Sequence, residues 1–291
     1  MDYYDNLVPR SKTWKESLPK NLNDGLGFLF LLTIVIVTFV YEVKVVLPAL
    51  LDPSTSTFIV PVAVAVGAAM LLQIYGNFYH LVTTDTSSAH ILVKSDQTDG
   101  WRLCYACEAM SPPRSSHCAT CNSCILKREH HCLFSGCCVG HWNQRYFILF
   151  LFHLWMGAVY AAALNIAYFK TTFIFRSIFQ ILHFLFPLFL ILFDDEPWSV
   201  FSCFMLSLTI GTSLFLGAML LYHCKMMVRN VTSYDIKHSV DFWRIPGEKG
   251  NSIRANVELV MGRRWLAVLW NPWAQSPLPH DGVQWDKGKA T

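Results

Sequence analysis

Eight of the chain's ten cysteines fall between Cys104 and Cys138, interleaved with histidines. The run reads Cys104-x2-Cys107, nine residues, His117-Cys118-x2-Cys121-x2-Cys124, then His130-His131-Cys132 and Cys137-Cys138. Tetrahedral zinc takes four sulfur or nitrogen ligands, and a CxxC pair lets one turn present two thiolates to the same ion. Three such spacings overlap here (104/107, 118/121 and 121/124) with imidazoles in reach, which points to structural metal binding. Two sites of Cys3His type would consume six cysteines and two histidines, leaving Cys132, Cys137 and His130. A thiol beside an imidazole and a carboxylate, Glu129, is the equipment of covalent catalysis. The carboxylate orients the histidine, the histidine takes the thiol proton, and the thiolate attacks. The competing reading makes all these groups structural ligands and spares. Spacing alone leaves both open, because neighbouring side chains on a strand point to opposite faces.

The elements that must position this cluster are legible in the composition. Of 291 residues, 53% are hydrophobic and only 15% charged, against ~25% charged in a soluble domain, which excludes an ordinary soluble enzyme. Residues 53–84, 146–169 and 197–224 contain no Asp, Glu, Lys or Arg. A helix needs roughly 20 apolar residues to cross the hydrocarbon core, and each run exceeds that. A fourth run, 25–41, resumes as Val45–Leu51. The sequence therefore predicts an all-α polytopic membrane protein with four transmembrane helices. It divides into an N-terminal segment 1–24, helices one and two in 25–84, the cysteine-rich segment 85–145, helices three and four in 146–224, and a tail 225–291. Lysines and arginines concentrate in the first, third and last of these, which the positive-inside rule assigns to the cytosol. That compartment is reducing, so the thiols stay free or bind metal. Arg176, Gln180 and His183 share one helical face, and Pro187 interrupts the helix beyond them. Residues 171–193 are therefore expected to lie as an amphipathic segment at the luminal interface, the alternative being a full span. The first apolar run begins only at residue 25 and no small-residue cleavage site follows it, so no cleaved secretory signal is expected and span one is expected to serve as its own targeting signal. Trp14, Trp142, Trp198 and Trp243 sit near predicted boundaries, as interfacial anchors do. No basic stripe interleaved with aromatics points to nucleic acid, and no internal repeat is expected.

The stretch Cys104–Phe147 resembles the cysteine-rich domain of the DHHC protein S-acyltransferases (palmitoyltransferases). The matching elements are Cys104-x2-Cys107, Pro113-Arg114-x2-His117-Cys118, Cys121, Cys124, Glu129-His130-His131-Cys132, Cys138-Val139-Gly140, Asn143 and Phe147. Thr232-Ser233-Tyr234-Asp235 is similar to the family's TTxE motif, and Gly250-Asn251 and Asn256 through Gly262 to its C-terminal motif. The resemblance implies two structural zinc ions, one on Cys104, Cys107, His117 and Cys124, the other on Cys118, Cys121, His131 and Cys138. It implies Cys132 as nucleophile and His130 as base, with palmitoyl-CoA or another long-chain acyl-CoA as donor and membrane-proximal cysteines of proteins as acceptors. Asn143 and the Thr232–Asp235 group are expected to hold the cysteine-rich domain against the tail.

The chain departs from the family pattern in places. Glu129 stands where the family has Asp; a modest backbone shift can absorb the added methylene, so activity is expected, at most reduced. Glu129→Asp would keep or raise it if the longer carboxylate is merely suboptimal, and a sharp fall would mean that the site is built around glutamate. Leu133-Phe134 replaces Pro-Trp, with Phe134 keeping an aromatic surface for an acyl chain. Cys137 replaces the usual Asn, and the DPG motif is not recognisable, Asp85-Thr86 being nearest. Arg114, Lys127 and Arg128 lie close enough in sequence to contact the phosphates of the acyl donor, or serve as topology charges. Lys287 and Lys289 look like a dilysine retrieval signal, which favours the endoplasmic reticulum, with the Golgi as the other endomembrane site. The alternative to an active enzyme is a weak or inactive zinc-binding membrane adaptor of the same fold.

Overall fold

A computed structural model describes residues 10–51, 53–89, 101–172, 197–238, 252–283 and 285. The expected amphipathic segment therefore lies outside the described residues beyond position 172, as do Trp243, Gly250-Asn251 and the two tail lysines.

Among the described residues, four helices are long and apolar enough to cross a membrane: Leu22–Leu50, Thr57–Thr83, Gln144–Thr172 and Trp198–Arg229. In lipid every backbone amide must be satisfied within its own segment, which makes helix the default for such runs. After α1 (Trp14–Ser17) comes α2 (Leu22–Tyr41), which passes through a π turn at Glu42–Val46 into α3 (Leu47–Leu50). Then follow α4 (Pro53–Thr83), α5 (Gln144–Thr172) and α6 (Pro197–Arg229). Hydroxyls on these helices turn back to their own backbone, as Thr38 Oγ1 does to the Ile34 carbonyl and Thr209 Oγ1 to that of Met205. The tail adds α7 (Ser233–His238), α8 (Ile253–Met261) and α9 (Trp265–Trp270).

The chain separates into two compact units. One comprises Leu32–Ile74 and Leu151–Leu220. Its core holds Val46, Tyr168 and Met205, with the Tyr41 ring edge-on to Phe201. Asn165 Nδ2 donates to the buried Glu42 carboxylate and to the Ala161 carbonyl, a polar clasp between two spans of the kind that replaces hydrophobic attraction inside lipid. The other unit holds the described residues up to Leu31, Tyr75–Phe150 and those from Leu221 on. Here the Phe28, Phe78 and Phe150 rings pack in sequence, 5.2 and 5.4 Å between centroids.

The cysteine-rich insert is three antiparallel hairpins rather than irregular backbone: β1 (Arg102–Cys104) with β2 (Ala109–Ser111), β3 (Ser116–Cys118) with β4 (Ser123–Ile125), and β5 (His130–Cys132) with β6 (Cys137–Val139). The closing pairs are Cys104↔Ala109, Cys118↔Ser123 and Cys132↔Cys137, so all three carry the same four-residue turn. Its last position is left-handed each time, at Glu108 (φ 51°), Asn122 (φ 53°) and Gly136 (φ 60°). Contrary to expectation, the insert is a repeat. Cys104, Cys118 and Cys132 recur every 14 residues, as do Cys107, Cys121 and Ser135 at the third turn position.

Candidate active site and metal centres

Strand alternation distributes the chemistry. In the middle hairpin His117 faces Cys124 across the ladder, while Cys118 lies one step away and points to the other side. His117 and Cys124 join Cys104 and Cys107 from the first turn; Cys118 and Cys121 join His131 and Cys138 of the third hairpin. The ligand atoms within each set lie within 4.8 Å of one another. A tetrahedron with Zn–S of ~2.3 Å has edges of roughly 3.8 Å. The observed separations match: Cys107 Sγ is 3.8 Å from Cys124 Sγ and 3.3 Å from His117 Nδ1. In the second set Cys121 Sγ lies 3.6 Å from Cys138 Sγ, and His131 Nδ1 lies 3.4 to 3.7 Å from the three sulfurs. Each set can hold one tetrahedral metal ion. Four protein ligands fill that geometry and leave no open position.

The same alternation separates Cys132 from the metal sets. His131 and Cys138 are cross-strand partners on one face of the third hairpin; the pairs His130↔Val139 and Cys132↔Cys137 lie on the other. Cys132 thus occupies the position that Cys104 and Cys118 fill in the earlier turns, but Ser135 stands where each of those has its second cysteine. Cys132 is half-buried. His130 shares its face, packed edge-on to the Phe147 ring at 5.0 Å and beside the His223 ring at 5.4 Å. Burial pushes His130 down to about 4, with His131 and Arg128 adding to the effect. Such an imidazole is neutral near pH 7 and open to a proton, which it also gives up readily. Cys137 is buried, its thiol directed to the Leu81 carbonyl and Ser135 Oγ, and burial pushes it up to about 11.

Glu129 does not orient His130. Its Oε1 accepts from Gln144 Nε2 at 2.8 Å, and its Oε2 from Ser233 N and Oγ at 2.9 and 3.1 Å. One step along extended backbone turns the side chain away from its neighbour, and the glutamate reaches the start of α7. That start is itself a reciprocal cap: Asp235 N donates to Thr232 Oγ1 and Thr232 N to Asp235 Oδ2. Burial raises the Glu129 carboxyl, against the Ser233 hydrogen bonds and the nearby Lys127 and Arg114 charges.

The three cations expected at donor phosphates are committed within the fold. Arg114 bonds the Asp235 carboxylate at 2.9 Å and the Asn230 carbonyl at 2.8 Å, and lies 4.5 Å from the Trp285 ring. Arg128 donates to Ser116 Oγ and the His117 carbonyl. Lys127 is 2% exposed, 5.8 Å from Trp285. Phe134 and Leu133, at the tip of the third hairpin, are 40% and 44% exposed. Asn143 is fully buried and ties the insert to α4, donating to the Leu81 and Cys138 carbonyls and accepting from Gly140 N. Gly140 itself tolerates no side chain: a Cβ there would sit 2.6 Å from the Leu126 carbonyl oxygen.

A family model described as DHHC palmitoyltransferase matches residues 97–239. The probable palmitoyltransferase ZDHHC24 of Danio rerio is 33% identical over 220 residues, covering 74% of this chain and 72% of its own length. The chain belongs to the DHHC palmitoyltransferase family. The human probable palmitoyltransferase ZDHHC24 is 30% identical over 75% of the chain and 76% of its own length. The probable protein S-acyltransferase 13 of Arabidopsis thaliana is 27% identical over 88% and 89%. Like other DHHC palmitoyltransferases, this chain is an integral membrane protein with protein S-acyltransferase activity.

Several residues that build this DHHC site have no local signal in the sequence. Asp24, 3% exposed at the first turn of α2, accepts from His131 Nε2 at 3.0 Å and is braced by Asn21. Because His131 Nδ1 faces the sulfurs, the carboxylate fixes the tautomer that a metal needs. Gln144 and His223 were likewise unexpected. The 14-residue period, by contrast, is readable in the sequence alone.

Proposed function

We propose that this protein transfers a long-chain acyl group from acyl-CoA to cysteines of proteins through an acyl-enzyme on Cys132. The observation that supports it most is the alternation of the third hairpin, which turns Cys132 and His130 to the face opposite the metal ligands. Zinc fits both Cys3His sets, and when bound it crosslinks the hairpins. In the first step the Cys132 sulfur attacks the thioester carbonyl, and His130 accepts the thiol proton. The carbon–sulfur bond to CoA breaks, and the CoA thiolate leaves with a proton. In the second step the thiolate of a target cysteine attacks the new thioester and releases Cys132. The two thioesters have similar energy, so the site supplies position rather than driving force. Phe134 and Leu133 offer apolar surface to the chain near the carbonyl. Glu129 acts as a positioning residue, fastening the approach to β5 onto Gln144 and Ser233.

The N-terminal segment, the insert and the tail face the cytosol in this reading. Lys and Arg concentrate there, and the described parts of all three fall in one compact unit with the same helix ends. The acceptors are then membrane-proximal cysteines on the cytosolic side.

The test is incubation of the purified full-length protein with labelled palmitoyl-CoA. Label that hydroxylamine removes, and that Cys132→Ala abolishes, is expected. No label on the intact protein would overturn the reading in favour of a binding-only role.

A further inference from the structure

The tail ends in an apolar surface that acyl transfer does not use. In α9 only Val268 is fully buried; Trp265 is 40%, Leu266 60% and Trp270 66% exposed, and Trp273 just beyond is 49% exposed. Arg263 and Arg264, immediately before the helix, are also exposed. A patch with three tryptophans is too apolar to face bulk water as ordinary surface.

Its place in the fold says what covers it. Ser276 fastens the loop, donating to the Met261 carbonyl and accepting from Arg264 N, while Arg145 donates to the Ser276 carbonyl. Pro272 and Trp273 then close on Gly76 of α4, where an added Cβ would lie 2.6 Å from Pro272 and 3.0 Å from Trp273. Gly76 precedes the end of α4 at Thr83 by seven residues, or about 10 Å along the axis. The tail therefore reaches back alongside a membrane-spanning helix. Tyr79, one turn from Gly76, is 58% exposed, so the aromatic patch continues the outward face of that helix. Tryptophans at this level and arginines beside them are the composition of a membrane interface.

We propose that α9 and Trp273 form a foot embedded in the headgroup–acyl boundary of the adjacent leaflet, with Arg263 and Arg264 bound to anionic lipid phosphates. The foot holds the tail against the bilayer independently of whether Cys132 is acylated.

The test is hydroxyl-radical footprinting of the full-length protein in phosphatidylcholine nanodiscs with and without phosphatidylserine, read by peptide mass spectrometry. Relative to each side chain's intrinsic reactivity, Trp265, Leu266 and Trp270 are expected to react at least about fivefold more slowly than Tyr105 of the insert, because burial in lipid keeps them from the aqueous radical. Tyr105 is 86% exposed. In discs of brominated lipid, tryptophan emission is quenched, and Trp265→Phe with Trp270→Phe removes part of the quenched signal. Arg263→Gln with Arg264→Gln is expected to lose the enrichment of co-purifying phosphatidylserine. Reaction as fast as Tyr105 overturns the proposal. So does protection without a bromolipid effect, since a second copy of the chain would then be the cover. Phosphatidylserine retention unchanged in the arginine variant overturns the headgroup contact.

Discussion

Glu129→Asp is the sharpest test of how the site is held. Removing one methylene withdraws the carboxylate by about 1.5 Å. Hydrogen bonds of 2.8 Å from Gln144 and 2.9 Å from Ser233 N would stretch to on the order of 4 Å, past any bonding distance. The Ser233 hydroxyl can turn elsewhere, but the Gln144 amide and Ser233 N–H cannot. A buried donor left unmet costs ~1–3 kcal/mol, so two come to roughly 2–6 kcal/mol before water or a backbone shift recovers part; we expect about 3. The acyl-enzyme should form at least about tenfold more slowly, since ~1 Å of misplacement can cost ~100-fold in rate. The sign is opposite to the expectation from the family signature, where aspartate restores the common residue. The assay is single-turnover labelling from palmitoyl-CoA, with thermal unfolding and a double-mutant cycle against Gln144→Ala, which removes the side-chain donor to Glu129. If the glutamate acts through Gln144, the double variant loses clearly less than the sum of the singles. Unchanged labelling and stability in Glu129→Asp, or strict additivity, would refute the reasoning.

Asp24→Asn should raise the rate at which a chelator strips the second metal set, weakening it by about 10- to 100-fold, with the first set unaffected; zinc release monitored by a colorimetric chelator checks this. Exhaustive chelation should remove two metal ions per chain and open the hairpins to protease between residues 101 and 143, because a small insert without them has little core. Arg114→Ala should destabilise the contact between insert and tail by about 1–3 kcal/mol. Arg114→Lys should not restore it, since a point charge cannot reach Asp235, Asn230 and Trp285 together; hydrogen exchange of 230–238 reads the effect. Ser135→Cys should rebuild a two-thiol turn at Cys132 and make acyl-enzyme formation inhibitable by micromolar-range zinc, reversibly with chelator. Insensitivity to zinc would show that the third turn does not match the first two.

The four spans were readable because hydrocarbon demands long charge-free helices, and the metal-binding character of the cysteine cluster because ligand chemistry constrains spacing; which residues join in each Cys3His set was implied only by the family resemblance. What the sequence hid was mostly long-range. Asp24 is 107 residues from His131, and Ser233 is 104 from Glu129; nothing local marks either pair. Glu129 is next to His130 in sequence but apart from it in space, since adjacency in sequence is divergence in extended backbone. Arg114, Lys127 and Arg128 are near the thiol in the chain, but their partners are Asp235, Trp285 and a strand carbonyl. The repeat is veiled because only some ligand types recur, with Leu103 and Met110 in the first hairpin where later ones place histidine and cysteine.

Each four-ligand set takes a thiol pair from one hairpin and a histidine–cysteine pair from its successor. A tandem array of this kind closes one centre fewer than it has units, whatever its length. The final unit is always left with a thiol that has no claimant. Repeat proteins usually hide such an end beneath a cap. In the function proposed above the unfinished end is the working part, and its place follows from where the repeat stops. Appending one more 14-residue unit would enlist Cys132 as a ligand only if Ser135 were a cysteine as well, so the serine keeps the last thiol out of any further set.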